Sequence, residues 1–199
     1  MAPTLSLSST LAILILAPDA SSGDPRLFAK YYTPPHHAPS APAPTPAYAT
    51  LKEQKAFEKG LLEKTAKQSS DVILYDNKIV VFKSESDVML YVVGESHENE
   101  VLLYNVVLCL RDTLSLLLKN STDRRTLLEN YDLLSLAIDE IVDDGIILET
   151  DPIMVASRVS RAPAQDAPNM KNIDLSEQGI QNLWEFGKKQ GIDFVRRNL

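Results

Sequence analysis

Cysteine, histidine and glycine are scarce in this chain of 199 residues. The single cysteine, Cys109, excludes a disulfide within the chain, and with three histidines it leaves too few ligands for a Cys/His zinc site. Seven glycines, none next to another, leave little material for a glycine-rich phosphate loop. An excess of 27 acidic over 20 basic residues argues against a general nucleic-acid binder, which needs a basic face. We therefore expect no metal, no cofactor and no nucleic-acid partner.

Long apolar segments free of charge are also missing. The longest apolar stretch, residues 101–118, is interrupted by an amide and a charge pair, at Asn105, Arg111 and Asp112. A charge pair at the centre of a membrane span is expensive in lipid. The shorter run at residues 11–17 resembles the core of a signal peptide, but no Lys or Arg precedes Arg26. We therefore favour a buried strand in a soluble, cytoplasmic protein over the alternative, a secreted glycoprotein with a sugar on Asn120.

Hydrophobic periodicity predicts five strands. Residues 11–17 and 26–32 flank a segment dense in turn formers, so they are predicted to pair as a hairpin. Short connections, which force antiparallel pairing, join three further strands at residues 72–75, 78–83 and 87–94. Asp76 and Asn77 tolerate the positive φ of the first of these connections.

Helical spacing predicts the elements that cover this sheet. Two helices are expected at residues 50–67 and 98–119, and Asp151 and Pro152 begin a short third one. A further helix ending near Gly145 is indicated by a stripe of apolar residues, Leu127, Tyr131, Leu134, Ile138 and Ile141. The order of elements predicts an α+β layered domain, a five-stranded antiparallel sheet flanked by helices.

Two segments of loop or linker composition divide the chain. Residues 33–49 include six of the twelve prolines and are predicted to form an extended surface loop. Residues 162–173 have the composition of a linker. We therefore predict a flexible N-terminus over residues 1–9, one domain over residues 10–161 and a C-terminal helical extension over residues 174–199.

Catalytic motifs are absent from the sequence. Ser96, His97 and Glu98 have the residue types of a catalytic triad, but adjacent residues cannot supply its geometry. Cys109 lies within a helix that is predicted to be buried, where a cysteine behaves as a small hydrophobic residue. We predict that the protein is not an enzyme.

Acidic charge is concentrated in one segment. Six acids with no base between them occupy this segment, namely Asp139, Glu140, Asp143, Asp144, Glu149 and Asp151. Their spacing does not match a calcium-binding loop. We favour a solvated helix end and turn, and a docking surface for a basic partner remains the alternative.

The predicted C-terminal helix carries the candidate partner-binding residues, Leu183 and Trp184. It follows a linker and presents these apolar side chains near Lys188, Lys189, Arg196 and Arg197. Such a helix either packs back on its own domain or docks on a partner. The sequence alone leaves both open.

Four stretches resemble the zeta subunits of coatomer, the coat of COPI vesicles. They are RLFAKYY at residues 26–32, KEQKAFEK at 52–59, LLEN at 127–130 and DEIVDDGIILETDP at 139–152. The resemblance runs from about residue 10 to residue 161 and resumes with LSEQ at 175–178. The last of the four stretches is the most specific, and a looser version occurs in the small subunits of clathrin adaptor complexes. A small (sigma) subunit of such a complex is therefore the alternative assignment.

The resemblance implies a longin-like (SNARE-like) fold and a non-catalytic role in a coat. A subunit of this kind forms a heterodimer with the gamma subunit of coatomer and assembles with the other coatomer subunits. An Arf-family GTPase recruits the assembled coat, so the subunit would be cytoplasmic and peripheral on Golgi membranes and COPI-coated vesicles. The function implied is support of Golgi-to-ER retrograde and intra-Golgi transport.

Overall fold

The computed structural model describes residues 9–19, 23–33, 48–66, 68 and 70–160. Several predictions fall outside these residues: the flexible N-terminus, most of the proline-rich loop, the linker and the C-terminal helix. Leu183 and Trp184 belong to that helix and stay predicted partner-binding residues.

A five-stranded antiparallel sheet forms the centre of the fold. Its strands are β1 (Thr10–Leu16), β2 (Arg26–Tyr31), β3 (Val72–Tyr75), β4 (Lys78–Glu85) and β5 (Val88–Glu95). The order across the sheet is β2-β1-β5-β4-β3, and every neighbouring pair is antiparallel. The predicted hairpin, the three consecutive strands and the α+β class are therefore confirmed.

Five helices and a small hairpin complete the described part of the chain. They are α1 (Leu51–Thr65), α2 (Glu100–Leu117), α3 (Arg124–Glu129), α4 (Tyr131–Ile141), the hairpin of β6 (Val142–Asp143) and β7 (Ile146–Ile147), and α5 (Pro152–Val159). Side chains that accept backbone N–H bonds begin four of the helices, at Thr50, Asn99, Asp123 and Asp151. None of the described helices combines the length and the apolar character needed to cross a membrane.

The sheet is covered on both faces, so β1 is buried along its whole length and apolar from Leu11 to Leu16. Ile13 and Ile15 pack in a core with α2, α4 and α5, whereas Leu14 and Leu16 pack in a second core with α1. A strand that is buried on both faces has no polar side to alternate with its apolar side. The interpretation of residues 11–17 as a buried strand is confirmed.

The single helix predicted to carry this apolar stripe and to end near Gly145 is wrong in one respect, because it is interrupted at Asn130. There φ is −118° and ψ is 36°, which ends α3 before α4 begins. The side-chain amide of Asn130 donates to the carbonyl of Thr126 at 2.9 Å, a local bond that competes with helix continuation. Four members of the predicted stripe are buried, whereas Tyr131, directly after the break, is 43% exposed.

Gly145 does not end a helix as predicted. Helix α4 ends at Ile141, and β6 and β7 then form a hairpin. Asp144 (φ 47°) and Gly145 (φ 79°) are the two central residues of its turn. A two-residue hairpin turn favours positive φ at both positions, which explains glycine here.

Candidate protein-interaction surface

The Ser96-His97-Glu98 segment is a turn between β5 and α2. Ser96 and His97 are exposed, and the Glu98 amide closes the turn by donating to the carbonyl of Glu95 at 3.1 Å. The side chain of Asn99 then caps α2, accepting from the Val101 amide at 2.9 Å. The segment is therefore a strand-to-helix junction that ends in a helix cap.

Cys109 lies on the inner side of α2 and is 2% exposed. Burial is the largest of the causes that raise the pKa of its thiol to about 11. Because the thiolate is the nucleophilic form, a thiol with this pKa is unreactive near neutral pH. Cys109 therefore contributes packing, as predicted.

Labelling of Cys109 by a thiol-specific reagent should follow unfolding. We expect almost no modification of the native chain at pH 8 over an hour, and rapid complete modification in 6 M guanidinium chloride. Mass spectrometry of the intact protein measures both. Fast stoichiometric labelling of the native protein would contradict the buried position.

Among the described residues, the most deeply buried carboxylate, that of Glu58 on α1, is bound in a structural ion pair. Its side chain is 1% exposed, and Arg26 of β2 contacts both carboxylate oxygens, at 2.6 and 2.9 Å. The Tyr31 hydroxyl donates to the same carboxylate at 2.9 Å. Burial, and then the charge of Glu58, hold the pKa of Tyr31 well above its usual range, so the hydroxyl stays protonated. These bonds attach α1 to the sheet and engage both carboxylate oxygens of Glu58.

Bases distant in the sequence neutralise part of the acidic segment. Lys30 of β2 reaches Asp139 at 2.6 Å, and Arg158 of α5 lies 3.4 Å from both Glu140 and Glu149. Asp151 caps α5 by accepting from the Ile153 amide at 2.9 Å. Within the described residues, no group of three or more His, Cys, Asp or Glu side chains could hold a metal ion. The segment is a charged surface around a hairpin and two helix ends.

Exposed apolar side chains lie beside these acids. Leu148 follows β7 and is 56% exposed, and it lines a cavity of about 380 Å³ together with Leu102 of α2. The first turn of α5 adds Ile153 and Met154, which are 69% and 44% exposed. We call these four apolar residues the hairpin–α5 surface. It is the candidate interaction surface of the described residues.

A second cavity, of about 450 Å³, has a different character. It lies between α3 and the turn that joins β4 to β5, and its lining includes Asp87, Asp123, Arg124, Arg125 and Leu128. The Arg124 amide donates to Asp87 at 2.8 Å across it. Charges of both signs line this cavity, so it presents neither a broad apolar face nor a field of one sign.

Comparison with known proteins identifies relatives that match nearly the full length of the chain. The family described as clathrin adaptor complex small chain matches residues 11–166. Coatomer subunit zeta of Saccharomyces cerevisiae is 38% identical over 196 residues, which cover 98% of this chain and 99% of the yeast protein. Coatomer subunit zeta-1 of Homo sapiens is 43% identical over 185 residues, which cover 93% of this chain and 92% of the human protein.

A structural comparison agrees on the fold. One chain of a homology model of the full-length AP-3 complex in a stretched open conformation aligns with a TM-score of 0.54 at 16% identity, covering 75% of this chain and 90% of that one. At this identity the likeness concerns the fold alone, which is the predicted longin-like α+β arrangement. The identity to zeta subunits over nearly the full length is the stronger result. The chain belongs to the clathrin adaptor complex small chain family and, within it, to the coatomer zeta subunits.

Proposed function

We propose that the chain is a non-catalytic subunit of the COPI coat that pairs with the coatomer gamma subunit. The observation that carries the proposal is its 38% identity to the yeast zeta subunit over 98% of this chain and 99% of that protein. Similarity that covers both chains from end to end supports a shared role better than similarity of a fold, which hosts many functions.

The chemistry of the described residues supports an assembly role. The buried carboxylate of Glu58 is bound by Arg26, and the thiol of Cys109 is held in its unreactive form. Large apolar side chains remain exposed at the hairpin–α5 surface. These two groups have structural roles, and an exposed apolar surface is typical of a protein that binds other proteins.

The same proposal covers where the subunit acts. In the assembled coat it would lie on the cytosolic side of Golgi membranes and COPI-coated vesicles, and contact the other coatomer subunits. An Arf-family GTPase would recruit the coat, and Golgi-to-ER retrograde and intra-Golgi transport would be the steps supported. Peripheral attachment through the coat needs no membrane-spanning helix in this chain.

Co-expression with the coatomer gamma subunit tests the proposal. We expect the two proteins to elute from size exclusion as one 1:1 complex at micromolar concentration. The large subunit of a clathrin adaptor complex, expressed in place of gamma, is the control, and we expect it to elute separately. Separate elution of this chain and gamma would reject the proposal, and a complex with the adaptor subunit alone would favour the sigma assignment.

A further inference from the structure

We propose that the hairpin–α5 surface is the docking site for a partner segment whose apolar side chains are flanked by lysine and arginine. The inference rests on the proposed function in one respect, because the gamma subunit is the partner taken to supply this segment.

Four large apolar side chains are exposed at this surface, three of them within residues 148–154 and one on α2. Ile153 is 69% exposed, Leu148 56%, Met154 44% and Leu102 37%. Along α5, Val155 is buried in the core, whereas Ile153, Met154, Ser157 and Arg158 are exposed at the spacing of one helix face. An exposed apolar set rimmed by polar groups is typical of a protein-binding site.

The surrounding charge specifies the occupant. Glu149 lines the cavity with Leu148 and Leu102, and Asp151 caps α5. Glu140 and Asp143 belong to the end of α4 and to the hairpin, and Arg158 is the only base of α5. Arg158 is already held between Glu140 and Glu149, at 3.4 Å from each. Negative charge is therefore in excess here, and it favours a partner with basic residues beside its apolar ones.

The acids beside the hairpin also act on Tyr32, whose hydroxyl lies close to them. The Tyr32 hydroxyl donates to the carbonyl of Val142 at 3.3 Å, at the start of the hairpin. Burial is the main cause that raises the pKa of Tyr32 above its usual range, and the charges of Asp139, Asp143 and Asp144 add to it. A second copy of this chain would bring the same acids against each other, so the field disfavours a homodimer through this surface.

The backbone beneath the surface is fixed before any partner binds. The Thr10 amide of β1 donates to the carbonyl of Gly145 at 3.0 Å, and the Leu148 amide donates to the carbonyl of Ile141 at 2.9 Å. Asp151 bonds the amides of Ile153 and Met154. Because the hairpin and the first turn of α5 are held in place, binding costs little ordering entropy.

Binding of the gamma subunit to the full-length variant Leu148→Asp/Ile153→Asp is the test. Both side chains are exposed, so we expect the free chain to unfold at nearly the temperature of the wild type. We expect its Kd for gamma, measured by biolayer interferometry, to be at least about tenfold higher. Asp143→Lys should also raise Kd, and the wild-type Kd should rise between 0.05 and 0.5 M NaCl because charge contributes.

Leu51→Asp is the matched control variant. Leu51 is 58% exposed, comparable to Leu148, but it begins α1, which packs on the other face of the sheet. An acid in the first turn of a helix is well tolerated, so we expect binding to gamma within about twofold of the wild type.

The possible outcomes separate the two proposals. If the wild type fails to bind gamma, the proposed function is rejected. If the wild type binds and the double variant binds equally well, the function stands and the docking site is rejected. A dimer of the wild type in multi-angle light scattering that the double variant abolishes would make a second copy the occupant, which also overturns this inference.

Discussion

Replacement of Arg26 by methionine is expected to lower the free energy of unfolding by about 3 kcal/mol. The carboxylate of Glu58 would lose both of its bonds to the guanidinium, at 2.6 and 2.9 Å, while its side chain stays 1% exposed. The Tyr31 hydroxyl would remain as a donor to that carboxylate, but it supplies no positive charge. Removal of one member of a buried ion pair is costly because the remaining charge is desolvated and uncompensated.

Two further variants show whether burial causes this loss. Lys55→Met removes the ion pair of Lys55 with Asp24, whose side chains are 48% and 44% exposed, and should cost less than about 1 kcal/mol. Arg26→Met/Glu58→Met removes both charges of the buried pair and should be more stable than Arg26→Met alone. Guanidinium denaturation followed by circular dichroism measures all three. Equal losses for Arg26→Met and Lys55→Met would contradict the stabilising role of the buried pair.

Replacement of Gly94 by alanine is the second change with a large expected effect, a loss of about 2 kcal/mol. A Cβ at this position in β5 would lie 2.5 Å from Leu103 Cδ1 of α2 and 3.0 Å from the carbonyl oxygen of Ser9. Leu103 is fully buried, and the oxygen of Ser9 belongs to the backbone, so neither neighbour can move away freely. The strand or the helix must shift to accept one methyl group.

Thermal unfolding of Gly94→Ala should show a Tm lower by about 4 to 8 °C, the shift that this energy produces in a domain of this size. Gly23→Ala is the control, since a Cβ at Gly23 meets no atom within 4 Å. Its Tm should stay within about 2 °C of the wild type. An unchanged Tm for Gly94→Ala would mean that α2 does not approach the sheet as closely as described.

Strong local patterns made most of the fold predictable. The apolar run of β1 and the Asp76-Asn77 turn, with φ of 51° and 56°, each fixed a strand or a connection. Asp151 followed by Pro152 correctly indicated where α5 begins. In each of these cases the residues that determine the strand, turn or helix start are close together in the sequence. A local sequence pattern is therefore enough to predict the element.

The break at Asn130 and the hairpin after α4 were not predictable from periodicity. Leu127 and Leu134 remain on one buried side of the chain although the helix is interrupted between them, so the stripe does not reveal the interruption. Strands β6 and β7 have two residues each, too short for an alternating pattern. The sequence predicts that a regular element ends near Gly145. The role of this glycine in a hairpin turn, however, depends on the pairing of Asp143 with Ile146.

Interactions across long sequence separations explain what was missed at the candidate site. Glu58 has the appearance of a solvated charge on α1, yet it is buried because Arg26 lies opposite, 32 residues away. Asp139 meets Lys30 across 109 residues, so a count of charges along residues 139–151 overstates the net charge of that surface. The exposure of Leu148 and Ile153 likewise becomes visible only in the folded chain. From the sequence alone, apolar residues in and beside a predicted helix are expected to be buried.

The position of β1 in the sheet has a consequence for synthesis on the ribosome. β1 is the first described strand, yet its inner neighbour is β5, with Leu16 paired to Met89 and Thr10 to Gly94. At 5–20 residues per second, the roughly 80 intervening residues take about 4 to 16 s to appear. During that interval the nascent chain presents a strand that is apolar from Leu11 to Leu16 and has one unpaired edge, a typical binding site for a chaperone. Another bond of β1 forms later still, because the amide of Thr10 donates to the carbonyl of Gly145, a residue synthesised after all five strands of the sheet.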